Sequence, residues 1–104
     1  MNIHRSIRYF WQRVTRGWDD SDTWSLDYTI AEFALPRLRR FKEINVCYPS
    51  DLDPESWDEI LDDMIYAMEV TSSELSFDLD GGVDWKRVQK GHMLFGQYFR
   101  DLWW

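Results

Sequence analysis

Asp53-Pro54-Glu55-Ser56-Trp57-Asp58-Glu59-Ile60-Leu61-Asp62-Asp63-Met64-Ile65-Tyr66-Ala67-Met68 carries the clearest helix signal in the chain. Asp53 can accept from the free amides of a first turn, and Pro54 has no amide to satisfy. Glu55 adds negative charge at the positive end of the helix. Trp57, Ile60, Leu61, Met64, Ile65 and Met68 then recur at helical spacing, with Glu55, Glu59, Asp62 and Glu69 on the opposite, acidic face.

Upstream, residues 44–53 form a connector. Trp24, Tyr28, Ala31, Leu35 and Leu38 make a second apolar stripe, widened by Ile30 and Phe33. Pro36 interrupts it, yet the period runs on to Phe41, so one helix over about 22–43, kinked at Pro36, fits better than two short ones. Asp19-Asp20-Ser21-Asp22 supplies candidate caps for it. Before that turn, Ile3, Ile7, Phe10, Trp11 and Val14 form one stripe of a helix over about 3–16, and Gly17 stands where a left-handed C-terminal residue is needed. Asp27, one turn into the second helix, is placed to pair with Arg13 or Arg16. Gly17, Trp18, Asp22, Trp24 and Asp27 therefore read as a structural turn.

Downstream, residues 71–84 support two readings. Thr71-x-x-Glu74 can be a capping box, while Leu75-x-Phe77-x-Leu79 alternates like a brief strand without a partner. Asp84 then caps a last helix with Trp85, Val88, Phe95, Phe99 and Leu102 on its stripe. Gly91 and Gly96 weaken that helix by ~1 kcal/mol each relative to alanine. With no linker or repeat, residues 1–104 read as a single all-α domain, a small bundle of about four helices.

One domain is what 104 residues can support. The formal charge of −7 argues against a direct nucleic-acid or anionic-membrane binder, because those rely on basic side chains. One cysteine, Cys47, excludes an internal disulfide and suits a reducing cytosol. No run reaches the ~20 apolar residues of a membrane span, and the start is too polar for a signal peptide. Charge is unevenly placed: +2 through Glu43 and −9 from Ile44 onward. Basic faces of the first two helices can neutralise the acidic third one. Alternatively, an acidic face is left to dock on a basic groove. The cluster Arg37, Arg39, Arg40 and Lys42 suits a helix C-terminus.

No motif spells catalysis. Glu55, Asp58, Glu59, Asp62 and Asp63 bring carboxylates together at i+3 and i+4, as in the magnesium-dependent all-α nucleotide pyrophosphohydrolases. A second acidic helix is missing, however, and a solvated face explains the same residues. Asp78-x-Asp80-Gly81-Gly82-x-Asp84 resembles part of a calcium loop, but has glycine at its fifth position and Gln89 at its twelfth. His4 and His92 lack companions at metal-ligand spacing. The expectation is no cofactor and no metal. Eighteen aromatics are many for so small a core, so some are expected outside it, Trp103 and Trp104 among them.

The segment Arg16-Gly17-Trp18-Asp19-Asp20-Ser21-Asp22-Thr23-Trp24-Ser25-Leu26-Asp27, continued by Leu35-Pro36-Arg37-Leu38-Arg39-Arg40-Phe41-Lys42, resembles a family of small uncharacterised proteins of tailed bacteriophages. Trp57-x-Glu59-Ile60-Leu61, Met64-Ile65-Tyr66 and Phe95-Gly96-x-Tyr98-Phe99-Arg100-Asp101-Leu102-Trp103 extend the likeness. It implies a phage accessory protein acting in the cytoplasm of the host bacterium. The functional expectation is a non-enzymatic protein that binds and inhibits a host protein, such as a defence effector with a basic nucleic-acid-binding groove. Its contacts would be Glu55, Glu59, Asp62 and Asp63, with Trp103 and Trp104 as anchors. A homo-oligomer is compatible with this. The alternatives are a metal-dependent pyrophosphohydrolase on the same acids and a virion structural component.

Overall fold

The computed structural model describes residues 3–72 and 82–103. Four α-helices make up the fold: α1 (Ile3–Arg16), α2 (Leu26–Ile44), α3 (Pro54–Thr71) and α4 (Trp85–Gln97). Single 3-10 turns at Asp20–Thr23 and Phe99–Asp101 complete it, and there is no strand among the described residues.

The ends of these helices follow local chemistry. Asp53 accepts from the Ser56 amide at 2.7 Å with Pro54 next, and Asp84 accepts from the Arg87 amide at 3.1 Å. Gly17, at φ +84°, takes the left-handed conformation that ends α1. α2 runs through Pro36 without a break. It starts later than its apolar period suggests, because Asp19 turns the acidic run into a 3-10 capping box instead. The Asp19 carboxylate accepts from Ser21, and the Asp22 carboxylate accepts from the Asp19 amide at 3.2 Å. Thr71 is the last residue of α3, and the readings proposed for 73–81 lie outside the described residues.

α3 is the central helix. Its Trp57, Leu61, Met64 and Met68 meet Ala31, Leu35, Leu38 and Phe41 of α2 in the main core. On its other side, Ala67 and Val70 pack with Val88 of α4. There α4 comes close enough that a Cβ at Gly91 would overlap the Asp63 carbonyl oxygen and lie 2.6 Å from the Ala67 Cβ. Gly91 therefore does more than weaken α4. It is the point that lets α3 and α4 touch.

The aromatic and aliphatic stripes are only half used. Trp24, Tyr28, Ile30 and Phe33 of the expected second stripe are exposed. α1 buries none of its residues, and among the described elements its backbone approaches only the Asp20–Thr23 turn. The molecule measures 53 × 38 × 20 Å with a radius of gyration of 16.7 Å. A closed domain of 100 residues has a radius of gyration of about 13 Å.

Candidate functional site

The acids of α3 divide into two groups, and partners distant in sequence decide the division. Asp62 receives Lys42 Nζ of α2 at 2.5 Å. Asp63 receives Arg87 Nε at 2.8 Å and Lys90 Nζ at 3.4 Å, both from α4, and the Arg87 guanidinium also lies over the Tyr66 ring. The Asp63 hydrogen bond raises the Arg87 pKa further above its ordinary value. Glu69 faces Arg39 at 3.9 Å. Asp62 and Asp63, expected as docking contacts, are thus interhelical ties. The reason is that the neighbouring helices present cations to that half of α3.

Glu55, Asp58 and Glu59 differ. They are exposed and make no ion pair among the described residues. They stand at the end of the bundle where the connector 45–53 enters α3. The same end holds the 3-10 turn Phe99–Asp101, because the Trp57 ring meets the Tyr98 ring edge-on at 5.6 Å. Exposed Tyr48 and Trp103 line one shallow cavity of about 200 Å³ there, together with Cys47, Pro49, Ser50 and Asp101. Trp104 lies outside the described residues. Of the expected contacts, Glu55 and Glu59 are exposed on α3 and Trp103 is exposed beside Asp101, and no contact joins the acids to the tryptophan among the described residues.

The basic cluster of α2 is engaged within the chain. Besides the ties of Arg39 and Lys42, Arg40 pairs with Glu43 at 3.0 Å, and Arg37 donates to the Phe33 carbonyl at 2.8 Å while stacking on its ring. Neutralisation of α3 comes from α2 and α4, and not from α1 as the charge pattern had suggested.

The Gly17–Asp27 turn is a polar lock, with different members from those expected. Asp19 is fully buried and accepts from Arg13 Nε and from the Ser21 amide and hydroxyl. Asp20 accepts from Gln12 at 2.8 Å and Arg16 at 2.9 Å, and its amide donates back to Gln12. Hydrogen bonds hold both carboxyls below their ordinary value: those of Ser21, then Arg13, for Asp19, and those of Gln12 and Arg16 for Asp20. Asp27 is exposed and pairs with neither arginine, because Asp19 and Asp20 already occupy them. Around the lock, Arg16 covers Trp18 at 3.7 Å, and Trp24 lies between Arg5 at 4.6 Å and Tyr9 at 5.6 Å. The Asp19-x-x-Asp22 spacing after Gly17 was the available sign of the lock.

Two further concavities form one valley between α2 and α4, with α3 flooring one half and Phe99 and Leu102 bordering the other. Its halves hold about 670 and 660 Å³ and share Ile30 and Phe95. Phe33, Phe41 and Phe99 line one half, and Met68, Val88 and Trp85 the other. His92 also borders it, 3.0 Å from Thr71 Oγ1. That hydroxyl donates to the Ala67 carbonyl, so the ring nitrogen is the donor in this contact. Among the described residues no three His, Cys, Asp or Glu side chains are grouped to hold a metal ion, and no helix is long and apolar enough to cross a membrane. No family model, no curated protein and no solved structure matches this chain.

Proposed function

We propose that this chain is a non-enzymatic interaction protein, a phage accessory protein that binds and inhibits a protein of its bacterial host. The contact surface is the acidic, aromatic end of the bundle. One observation carries the reading. On α3 the acids facing other helices are tied to Lys42, Arg87 and Lys90, while Glu55, Asp58 and Glu59 have no ion pair among the described residues, at the end that also exposes Tyr48 and Trp103. Like charges at i and i+4 cost a few tenths of a kcal/mol per pair in the free protein, and a basic partner relieves that cost. Charge of this kind speeds encounter and selects partners, while exposed aromatics supply anchors. A basic nucleic-acid-binding groove on the partner has the matching chemistry.

The test is capture from host lysate by the immobilised chain, at low and high salt, with Glu55→Lys/Glu59→Lys as comparison. Both side chains are exposed, so the variant keeps its fold, with a small drop in melting temperature from losing the acid in the first turn of α3. The expected result is a salt-sensitive partner captured by the wild type and lost in the variant. Equal capture by both, with equal salt dependence, refutes the acidic end as the contact. Asp62 is unsuitable for this reversal because it ties α3 to Lys42.

A further inference from the structure

The chain carries an uncovered helix and, elsewhere, a place for one. Ile3, Ile7, Phe10, Trp11 and Val14 lie along one stripe of α1 and are 52–72% exposed. The valley between α2 and α4 has an apolar lining and an open side, the arrangement left when one helix is missing from a four-helix bundle. We infer that the apolar stripe of α1 docks in the valley of a second copy of this chain, and that the exchange is reciprocal, giving a two-fold dimer.

Four observations favour a second copy over other occupants. The first is the lock. Arg13, Gln12 and Arg16 of α1 are bonded to Asp19 and Asp20, so α1 is braced on its own turn, and among the described elements it contacts none of α2, α3 and α4. The second is length. α1 has 14 residues and α4 has 13, or about 21 and 20 Å of helix, so stripe and wall match.

The third is charge. α1 contributes Arg5, Arg8, Arg13 and Arg16 and no acid, which leaves −11 on the remainder of a chain of net charge −7. While still tied to its own Asp19 and Asp20, α1 thus brings a positively charged helix to an acidic second body.

The fourth is area. The chain exposes 7833 Å². A closed monomer of this mass exposes about 6,200 Å². Five large apolar side chains covering roughly 100 Å² each, the matching valley surface and the symmetry-related site bury roughly 2,000 Å² in total, the size class of stable complexes. Reciprocal exchange also closes on itself, leaving no unfilled valley to propagate a filament.

The dimer uses none of Glu55, Asp58 and Glu59, so its test is independent of the lysate capture. Sedimentation of the full chain at high micromolar protein is expected to give twice the 12.7 kDa chain mass. Trp11→Asp on α1 and Phe33→Asp on the valley wall replace exposed side chains, so both keep their helical circular dichroism and both become monomeric. An equimolar mixture of the two restores a heterodimer, because one intact α1 still meets one intact valley. Should either variant unfold, Ile7→Asp or Phe99→Asp replaces it. A monomeric wild type overturns the inference. So does a Phe33→Asp variant that stays dimeric, which would mean that α1 pairs with α1.

Discussion

Two alanine substitutions in one helix are expected to have opposite signs. Gly91 and Gly96 both lie within α4, and replacing either removes the backbone-entropy cost of glycine, a gain of ~1 kcal/mol in isolation. At Gly96 nothing lies within 4 Å of the added Cβ, so the gain is realised. At Gly91 the added carbon would meet the Asp63 carbonyl oxygen, the Asp63 carbonyl carbon at 2.9 Å and the Ala67 Cβ at 2.6 Å. Two of these atoms are backbone, so no side-chain rotation relieves the clash. α4 must instead retreat by roughly 1 Å along the α3 contact, loosening Val88 against Ala67 and Val70. Overpacking of this kind costs ~1–3 kcal/mol, and a backbone clash belongs at the upper end. After the propensity gain, Gly91→Ala is expected to lose about 1–2 kcal/mol. At ~4–8 °C per kcal/mol for a domain of this size, its melting temperature falls by about 5–15 °C, while that of Gly96→Ala rises by about 4–8 °C. Thermal unfolding followed by circular dichroism, at one protein concentration for all three chains, decides it. If both variants are stabilised, the α3–α4 contact described here is wrong.

Asp63→Ala removes the acceptor of Arg87 and Lys90 and is expected to cost ~1–2 kcal/mol in a urea melt, the lower part of the range for charged hydrogen bonds, because Arg87 is partly exposed. Lys90→Ala breaks only the longer, more exposed contact and should change stability by less than ~0.5 kcal/mol. Asp19→Asn lowers the melting temperature at neutral pH, whereas Asp27→Ala, at an exposed and unpaired position, leaves it within the error of the melt. The folded-state carboxyl of Asp19 titrates below its ordinary value of about 3.8, so its contribution is complete above that pH and disappears as pH falls through the folded value. The gap between wild type and Asp19→Asn should therefore close in acid, and a gap that is constant down to pH ~2 counts against the ionic lock.

What the sequence made legible is what adjacent residues determine. The α1 boundaries follow from a period of apolar residues ended by a glycine, the start of α3 from Asp53-Pro54 and the start of α4 from Asp84. Each rests on chemistry within one turn of helix. Periodicity says which face of α1 is apolar and nothing about what covers it, so the stripe Ile3–Val14 looks identical whether packed or bare. The acids of α3 carry the same ambiguity. Glu59 and Asp62 share one face of a helical wheel, and only Lys42, twenty residues before Asp62, separates the docking candidate from the tie. Helical spacing points to Asp27 as the partner of Arg13 or Arg16, whereas Asp19 is the residue that takes Arg13. The extended backbone of Asp19, with φ −129° and ψ 171°, is what turns its carboxylate back towards Arg13.

The Arg16–Asp27 segment joins α1 to α2. Its polar side chains are used up in holding α1 at a fixed attitude: Asp19 on Arg13 and Ser21, Asp20 on Gln12 and Arg16, Asp22 on the Asp19 amide. A turn that merely joined two helices of a closed bundle would not need this, because core packing would set the angle. Here α1 has no core contact to set it, since none of its residues is buried. Fixing the attitude in the free chain reduces the ordering cost when the stripe is finally covered. Polar groups therefore close on one another inside the chain while large apolar side chains face outward. Docking of α1 on a second copy, as proposed above, would cover those apolar side chains without disturbing the polar ones.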